Sequence, residues 1–306
     1  MKHVQSWSVV GALAACSILS LPASARPFAQ KKGGDEKPGA ASTAKPAAKA
    51  GPCLCLSSDV IGIDVVSTTG ESLGDIDDVV LRPNGEIAYA VLSFGGVLGV
   101  GDKLFAVPWN VLQPKSHAAK GDANDVKHEI VLPIEKERLK NAPGFDKAHW
   151  PQFADANWSK DVDAFYGGAR RDDTSRPVEA GTGTRNVLWR CSQLNGFDLE
   201  TPSGEKLGDI RDVALDTNGR VSYAVLSVGG FLGVGDRLVA VPWEALRPVK
   251  NGEKYRLTLA ATKERLAQAP QYDAAKDKRA QMCDPQWVGR VYEFYSVRPY
   301  WITSNM

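Results

Sequence analysis

An internal repeat constrains the fold of this chain more than any other feature. Residues 58–114 align with residues 192–248 without a gap, at a constant offset of 134, and 33 of the 57 aligned positions are identical. After a longer loop in the first copy, the similarity resumes where Lys136–Asp146 matches Lys263–Asp273. Two long copies predict a tandem pair of domains rather than a solenoid.

Each copy has the pattern of a β-rich domain. In the first copy the apolar and turn patterns predict strands over residues 61–67, 73–81, 86–94, 103–107 and 128–132, and then a short helix over residues 135–141. Asn84-Gly85 predicts a tight hairpin turn, because these residues tolerate positive φ. The third strand is apolar on both faces, which suits the centre of a small barrel. The prediction is a mainly β chain with two small β-barrels in tandem, each with its own core and a short C-terminal helix.

The repeat and the composition together set the domain boundaries. We assign residues 52–167 to repeat 1 and residues 187–306 to repeat 2, which ends in an aromatic tail. Residues 168–186 between them have little apolar content and are predicted to be a linker. Residues 26–51 are rich in Ala, Lys and Pro, lack an apolar period, and are predicted to be disordered because they cannot bury enough surface to offset the ordering entropy.

The first 25 residues have the pattern of a secretory signal peptide. Lys2 precedes an apolar run over residues 9–21, and Ala23-Ser24-Ala25 provides small residues before a cleavage site. The run is shorter than the roughly 20 residues that a bilayer-spanning helix needs, so no membrane-spanning segment is predicted. The predicted location is the periplasm. Lipidation at Cys16, within a lipoprotein-like Leu-Ala-Ala-Cys motif, is the alternative and would anchor the chain to the envelope.

Cleavage after Ala25 leaves four cysteines in an exported chain. They are Cys53, Cys55, Cys191 and Cys283, and an even number is compatible with disulfides. Four cysteines allow three pairings, and the sequence does not decide among them. A Cys53–Cys55 bridge would close a small, strained ring and is disfavoured. Cys191 and Cys283 flank the second repeat and are the candidate disulfide. A metal or redox role for Cys-Leu-Cys is the weaker alternative.

Charge and residue patterns argue against several functional classes. The chain has 37 basic and 36 acidic residues, and this balance is unlike the strong basic excess of nucleic-acid-binding domains. The densest acidic positions lack calcium-loop spacing, so turn capping or ordinary hydrogen bonding is their preferred interpretation. They are Asp75, Asp77, Asp78, Asp209 and Asp212. The glycine-rich loop at residues 95–101 and its copy have neither dinucleotide-binding nor P-loop spacing. The prediction therefore contains no catalytic residues, no metal site and no cofactor.

The repeated motifs resemble those of the PRC-barrel family. They are Gly-Asp-Ile-x-Asp-Val from Gly74 and Gly208, Tyr-Ala-Val-Leu-Ser-x-Gly-Gly from Tyr89 and Tyr223, and Ala-Val-Pro-Trp from Ala106 and Ala240. That family includes the cytoplasmic domain of the photosynthetic reaction-centre H subunit and the C-terminal domain of a ribosome maturation factor. The resemblance implies a small twisted β-barrel per copy, which acts as a docking module without common catalytic residues. Neither named function transfers to an exported tandem chain.

Aromatic residues are the candidate contacts for a partner. Trp109 and Trp243 follow a strand-ending proline, and Tyr300 and Trp301 lie in the C-terminal tail. Large aromatic side chains that stay exposed are effective interface anchors. The first hypothesis is a non-enzymatic envelope protein whose paired barrels dock to another envelope protein. The alternative is an envelope protein that binds a small ligand or metal in the barrels or in the groove between them.

Overall fold

The computed structural model describes residues 54–94, 103–119, 122–153, 155–167, 188–229, 237–252, 254–273 and 278–302. Contacts divide the chain into a unit of residues 1–47 with 117–127 and a unit of residues 48–116 with 128–306. The second unit contains repeat 2 and all of repeat 1 except residues 117–127, and the contacts below belong to it. The signal peptide, Cys16, residues 26–51, Cys53, the glycine-rich loop at residues 95–101, residues 230–235 of its copy and the linker at residues 168–186 lie outside the described residues.

The chain is mainly β, as predicted. The strands of repeat 1 are β1 (Leu54–Leu56), β2 (Asp64–Val66), β3 (Ser72–Leu81), β4 (Ile87–Phe94), β5 (Lys103–Pro108), β6 (Gln113–Ala119), β7 (Asp122–Val131) and β8 (Gly144–Phe145). The strands of repeat 2 are β9 (Trp189–Arg190), β10 (Asp198–Glu200), β11 (Lys206–Asp216), β12 (Val221–Val228), β13 (Arg237–Pro242), β14 (Leu246–Asn251) and β15 (Lys254–Leu259).

The helices are short except for one near the end of each repeat. They are α1 (Ser57–Val60), α2 (Lys136–Leu139), α3 (Ala156–Phe165), α4 (Cys191–Leu194), α5 (Lys263–Leu266), α6 (Lys278–Cys283) and α7 (Pro285–Tyr295). The short helix predicted over residues 135–141 is therefore confirmed as α2. Helices α3 and α7 are not among the elements predicted from the sequence. Asp155 and Asp284 begin these helices, because each carboxylate accepts hydrogen bonds from backbone N–H groups of the first turn.

Each repeat builds one sheet in the same way. In repeat 1 the strand order is β6-β7-β2-β3-β4-β5-β8. Repeat 2 has the equivalent order β14-β15-β10-β11-β12-β13. Most neighbours are antiparallel, but β2 pairs with β7 in parallel, as β10 does with β15. The predicted Asn84-Gly85 turn joins β3 to β4, with Gly85 at φ +82° and its N–H donating to the carbonyl of Arg82 at 2.9 Å.

The two repeats exchange their first strands. Strand β1 of repeat 1 pairs with β11 of repeat 2, aligning Cys55 with Leu215. Strand β9 of repeat 2 pairs with β3 of repeat 1, aligning Trp189 with Leu81. The offset of 134 relates the two pairings, so the exchange is reciprocal.

The main hydrophobic core is shared between the repeats. It contains Ile76 and Phe105 of repeat 1 together with Ile210 and Val239 of repeat 2. This differs from the prediction that each copy folds around its own core. The reason is the strand exchange, which brings one face of each sheet into the same interior.

The outer face of each sheet has a separate cover. Val162 of α3 packs on Tyr89 and Val91 of repeat 1, and Val291 of α7 packs on Tyr223 of repeat 2. Strand β4 and its equivalent β12 are apolar on both faces. One face of each lies in the shared core, and the other lies beneath α3 or α7.

Candidate functional site

A pair of reciprocal aspartate contacts joins the two repeats. Asp78 of repeat 1 accepts hydrogen bonds from the hydroxyl of Ser192, at 2.5 Å, and from its backbone N–H, at 3.1 Å. Asp212, at the equivalent position of repeat 2, accepts from the hydroxyls of Ser57 and Ser58, both at 2.5 Å. The preferred interpretation of these aspartates as ordinary hydrogen-bonding residues is confirmed, although their partners lie in the other repeat.

Asp78 lies deeper than an ordinary surface carboxylate. Its residue is 2% exposed, and burial raises the pKa of its carboxyl group. The hydrogen bonds from Ser192 and from the backbone N–H of Val79 act in the opposite direction. This environment fixes the position of the first turn of repeat 2 on repeat 1.

Cys191 occupies the position in repeat 2 that Ser57 occupies in repeat 1. Its side chain is buried in the shared core, whereas Cys283 packs against the separate cluster beneath α7. The predicted disulfide is therefore wrong: the structure has Cys191 as a free thiol that is not joined to Cys283. Burial, with Asp78 and Asp212 nearby, raises the pKa of the Cys191 thiol, which disfavours the nucleophilic thiolate.

The hairpin turns and two of the predicted aromatic contacts also lie between the repeats. The N–H of Ile87 donates to Gly219 at 2.8 Å, and the N–H of Val221 donates to Gly85 at 2.7 Å. The indole of Trp243 lies against Gly85 and donates from Nε1 to the carbonyl of Pro83 at 3.1 Å.

Trp109 lies against Gly219 in the equivalent way. Trp243 is only 4% exposed and Trp109 is half-buried. These two predicted partner contacts therefore pack within the molecule, each on the opposite repeat.

The C-terminal tail is anchored on repeat 2. The hydroxyl of Tyr300 donates to Asp216 at 2.5 Å and lies 2.9 Å from that of Ser222. The Arg220 guanidinium stacks 4.7 Å from the Tyr300 ring centroid, and Trp301 packs against Tyr292. The other two predicted partner contacts are thus partly buried by their own repeat.

A groove that was not predicted from the sequence lies beside this tail. Its volume is about 210 Å³, and its lining includes Glu244, Arg247, Arg265, Tyr295 and Val297. Burial raises the pKa of Glu244 to about 7, although Arg220, the Tyr300 backbone and the Tyr292 hydroxyl lower it. The signal was present in the repeat alignment, where Glu244 replaces Asn110 and Arg247 replaces Gln113.

Other kinds of site were sought in the described part of the chain. There, no group of three or more His, Cys, Asp and Glu side chains has an arrangement that could hold a metal ion. None of the helices within the described ranges is both long and apolar enough to cross a membrane.

The exchanged strands define an internally duplicated, mainly β protein whose repeats, apart from residues 117–127, form one compact unit. Residues 56–139 and 189–266 match the family model of the PRC-barrel domain, and these two segments together cover more than half of the chain. The chain therefore belongs to the PRC-barrel family and carries the domain twice. The chain matched no curated protein.

Proposed function

We propose that this chain is a non-enzymatic protein of the bacterial envelope whose paired PRC-barrels act as a structural module that docks to another envelope protein. The reciprocal exchange between the repeats carries the proposal. Asp78, Asp212 and Ser192, which are polar groups capable of chemistry, are engaged in fixing one repeat to the other. Such an arrangement favours a rigid body that presents surfaces over a site that turns over substrate.

Two exposed positions in repeat 2 are the candidate contacts for the docking hypothesis. Val249 on the edge strand β14 is 37% exposed, and Ile302 at the end of the anchored tail is 38% exposed. Among the described residues these are the most exposed large hydrophobic side chains. Ile302 follows Tyr300 and Trp301. A partner that contacts Ile302 would therefore bind a segment whose position is fixed by the hydrogen bond from Tyr300 to Asp216.

The envelope location rests on the signal-peptide pattern and can be tested directly. We expect the chain expressed in a Gram-negative host to appear in the periplasmic fraction with Arg26 as its first residue. A Cys16→Ser variant should be processed identically. If that substitution instead releases a membrane-bound, lipid-modified form, the lipid-anchored alternative is correct. A chain that stays uncleaved in the cytoplasm contradicts the location.

The docking hypothesis is best tested with a photo-crosslinking amino acid at defined positions. We expect the probe at Ile302 or Val249 to join one envelope protein reproducibly at native abundance. The probe at Lys140, an exposed position in repeat 1, is the matched control. An Ile302→Asp substitution should weaken capture by a probe at Val249 if both positions contact the same partner. Equal background capture at all three positions contradicts docking through Val249 and Ile302.

A further inference from the structure

The C-terminal tail, residues 297–302, lies on a set of residues that repeat 1 does not have. Four residues of repeat 2 contact Tyr300, and they are Asp216, Arg220, Ser222 and Glu244. At the equivalent positions repeat 1 carries Arg82, Glu86, Ala88 and Asn110. All four differ, although 33 of the 57 aligned positions are identical. The tail and the residues beneath it are therefore an addition particular to repeat 2.

Glu244 is the carboxyl group that the tail touches directly. The backbone N–H of Tyr300 donates a hydrogen bond to it, and Val297 lines the same groove. Its Oε2 atom is buried and has no hydrogen-bond partner in the described part of the chain. A buried oxygen without a donor is far more costly when it is ionised than when the carboxyl group is protonated. The closed tail therefore favours protonated Glu244, and burial raises the pKa of this group to about 7.

The other groups around Glu244 and the tail keep their charge near neutral pH. Burial raises the pKa of the surrounding phenols, which stay neutral and are Tyr223, Tyr292, Tyr295 and Tyr300. Arginine stays charged in proteins. The arginines here are Arg220, Arg247, Arg265 and, in the tail, Arg298. Repeat 2 contains no histidine, so Glu244 supplies the change of charge beneath the tail between about pH 5 and pH 8.

We propose that the C-terminal tail is a pH-dependent cover, which closes over Glu244 while the carboxyl group is protonated and opens when that group releases its proton to water. Linkage gives the direction, because a cover that favours the protonated form is itself favoured by protonation. An open tail lets water reach Oε2 and removes the cost of the buried charge. The tail therefore loosens as the pH rises through about 7.

Fluorine NMR of the purified protein tests the opening. 5-Fluorotryptophan replaces all eight tryptophans, and the signal of Trp301 is identified by its loss in Trp301→Phe. Trp301 packs against Tyr292 in the closed tail, so its signal reports the closed state. Between pH 5 and pH 8 the ratio of open to closed tail should rise at least about tenfold in the natural chain. In Glu244→Gln it should change less than about twofold.

Two controls accompany this measurement. Asp216→Asn removes the acceptor for the Tyr300 hydroxyl and should give the open signal already at pH 5, which identifies that signal. Trp158 lies beneath no such tail in repeat 1, and its signal should keep its position across the range while the fold is intact.

A chain that ends at Ser296 gives the reciprocal test. Without the cover, water reaches Glu244, so its proton affinity should fall at least about tenfold. The pH dependence of its side-chain carboxyl carbon signal measures this affinity, and Glu244→Gln identifies the signal. Circular dichroism checks folding, and Tyr300→Ala combined with Trp301→Ala serves if the shortened chain does not fold.

Two results overturn the proposal. The first is a Trp301 signal that responds to pH in the same way in the natural chain and in Glu244→Gln. The second is an unchanged proton affinity of Glu244 when the tail is absent. The proposal goes beyond docking and needs no partner. Its failure leaves the crosslinking result intact, and an absence of crosslinking leaves the two NMR measurements intact.

Discussion

Glu244 places a carboxyl group in the wall of the repeat 2 groove where repeat 1 carries the neutral Asn110. Its pKa of about 7 is well above the ordinary value of 4.5, because burial penalises the charged form. A carboxyl group whose pKa is raised on folding binds its proton more tightly in the folded state. The stabilisation of the folded state that comes from this tighter proton binding is therefore complete below pH 4.5. It is lost as the pH rises through about 7.

This linkage predicts a pH-dependent difference between the natural chain and Glu244→Gln. Between about pH 5 and pH 8 the natural chain should lose on the order of 2 kcal/mol of unfolding free energy relative to the variant. Urea unfolding of both proteins across this range measures the difference. The raised pKa of Asp78 has the same sign but is present in both proteins, so it cancels. Parallel pH profiles for the two proteins would contradict the buried environment of Glu244.

The hairpin glycines at the interface between the repeats are a second residue-scale case. Gly85 and Gly219 both have φ of +82°, and a Cβ at either would lie 2.5 Å from the indole of Trp243 or Trp109. Gly85→Ala and Gly219→Ala should each lower the unfolding free energy by at least about 2 kcal/mol, from backbone strain and from the displaced indole.

Gly62 and Gly196 are matched controls for that pair. They also have positive φ, at +89° and +78°, but no atom lies within 4 Å of a Cβ built on either. Alanine there should cost about 1 kcal/mol, from the backbone alone. Equal costs at all four positions, measured by chemical unfolding, would mean that the tryptophan contacts do not fix these turns.

At the scale of elements, the sequence allowed prediction of the strands within a repeat but not of the pairings between repeats. Alternating apolar residues and the Asn84-Gly85 turn determined the β3–β4 hairpin, since both signals are local. Residues 54–56 carry no such local signal. Because the two sheets are homologous, the sequence does not indicate with which of them this strand pairs. The spacing of Trp158, Val162 and Tyr166 has the helical period of α3, so a local signal for this helix is present in the sequence.

The same reasoning explains which candidate site residues were predicted. Trp109 and Trp243 stood out as large aromatics, but a single repeat does not show that the other repeat covers them. A role for Glu244 was not predicted, because the repeat is defined by identical residues whereas the groove depends on a difference between the copies.

Strand exchange predicts that a substitution in repeat 1 destabilises the packing of repeat 2. Leu56 of β1 is 5% exposed and packs in the cluster beneath α7. Leu56→Ala should lower the unfolding free energy by about 2 kcal/mol or more and speed amide hydrogen exchange in α7 more than in α3.

Leu188 provides the converse variant, because it belongs to repeat 2 and packs against the cluster beneath α3. Leu188→Ala should speed exchange in α3 more than in α7, with a smaller effect on stability because its side chain is only partly buried. Exchange that rises chiefly in the helix of the mutated residue's own repeat would contradict the exchanged pairing.

For the molecule as a whole, the reciprocal contacts make the two repeats an intramolecular equivalent of a symmetric dimer. Strands β1 and β9 are exchanged, Asp78 and Asp212 bind the opposite first turns, and the main core contains side chains of both copies. A C2 interface is self-complementary, so each contact appears twice. A duplicated chain gains this arrangement without a concentration-dependent assembly step, since the linker holds the copies at a high effective concentration.

The shared core predicts that the two repeats stay associated when the covalent linker is cut, although they then bind each other less tightly. A protease site inserted between residues 175 and 180, within the segment that the sequence assigns to the linker, allows the purified protein to be cut after folding. We expect the two halves to elute together in size-exclusion chromatography, and the melting temperature of the cut protein to become dependent on concentration. Repeat 1 expressed alone as residues 52–167 should not give a cooperative folded monomer, because Leu188 and Trp189 of its sheet and outer cluster belong to the other half. Halves that separate while each keeps a cooperative melting transition would show that the barrels are independent, as the repeat alone had suggested.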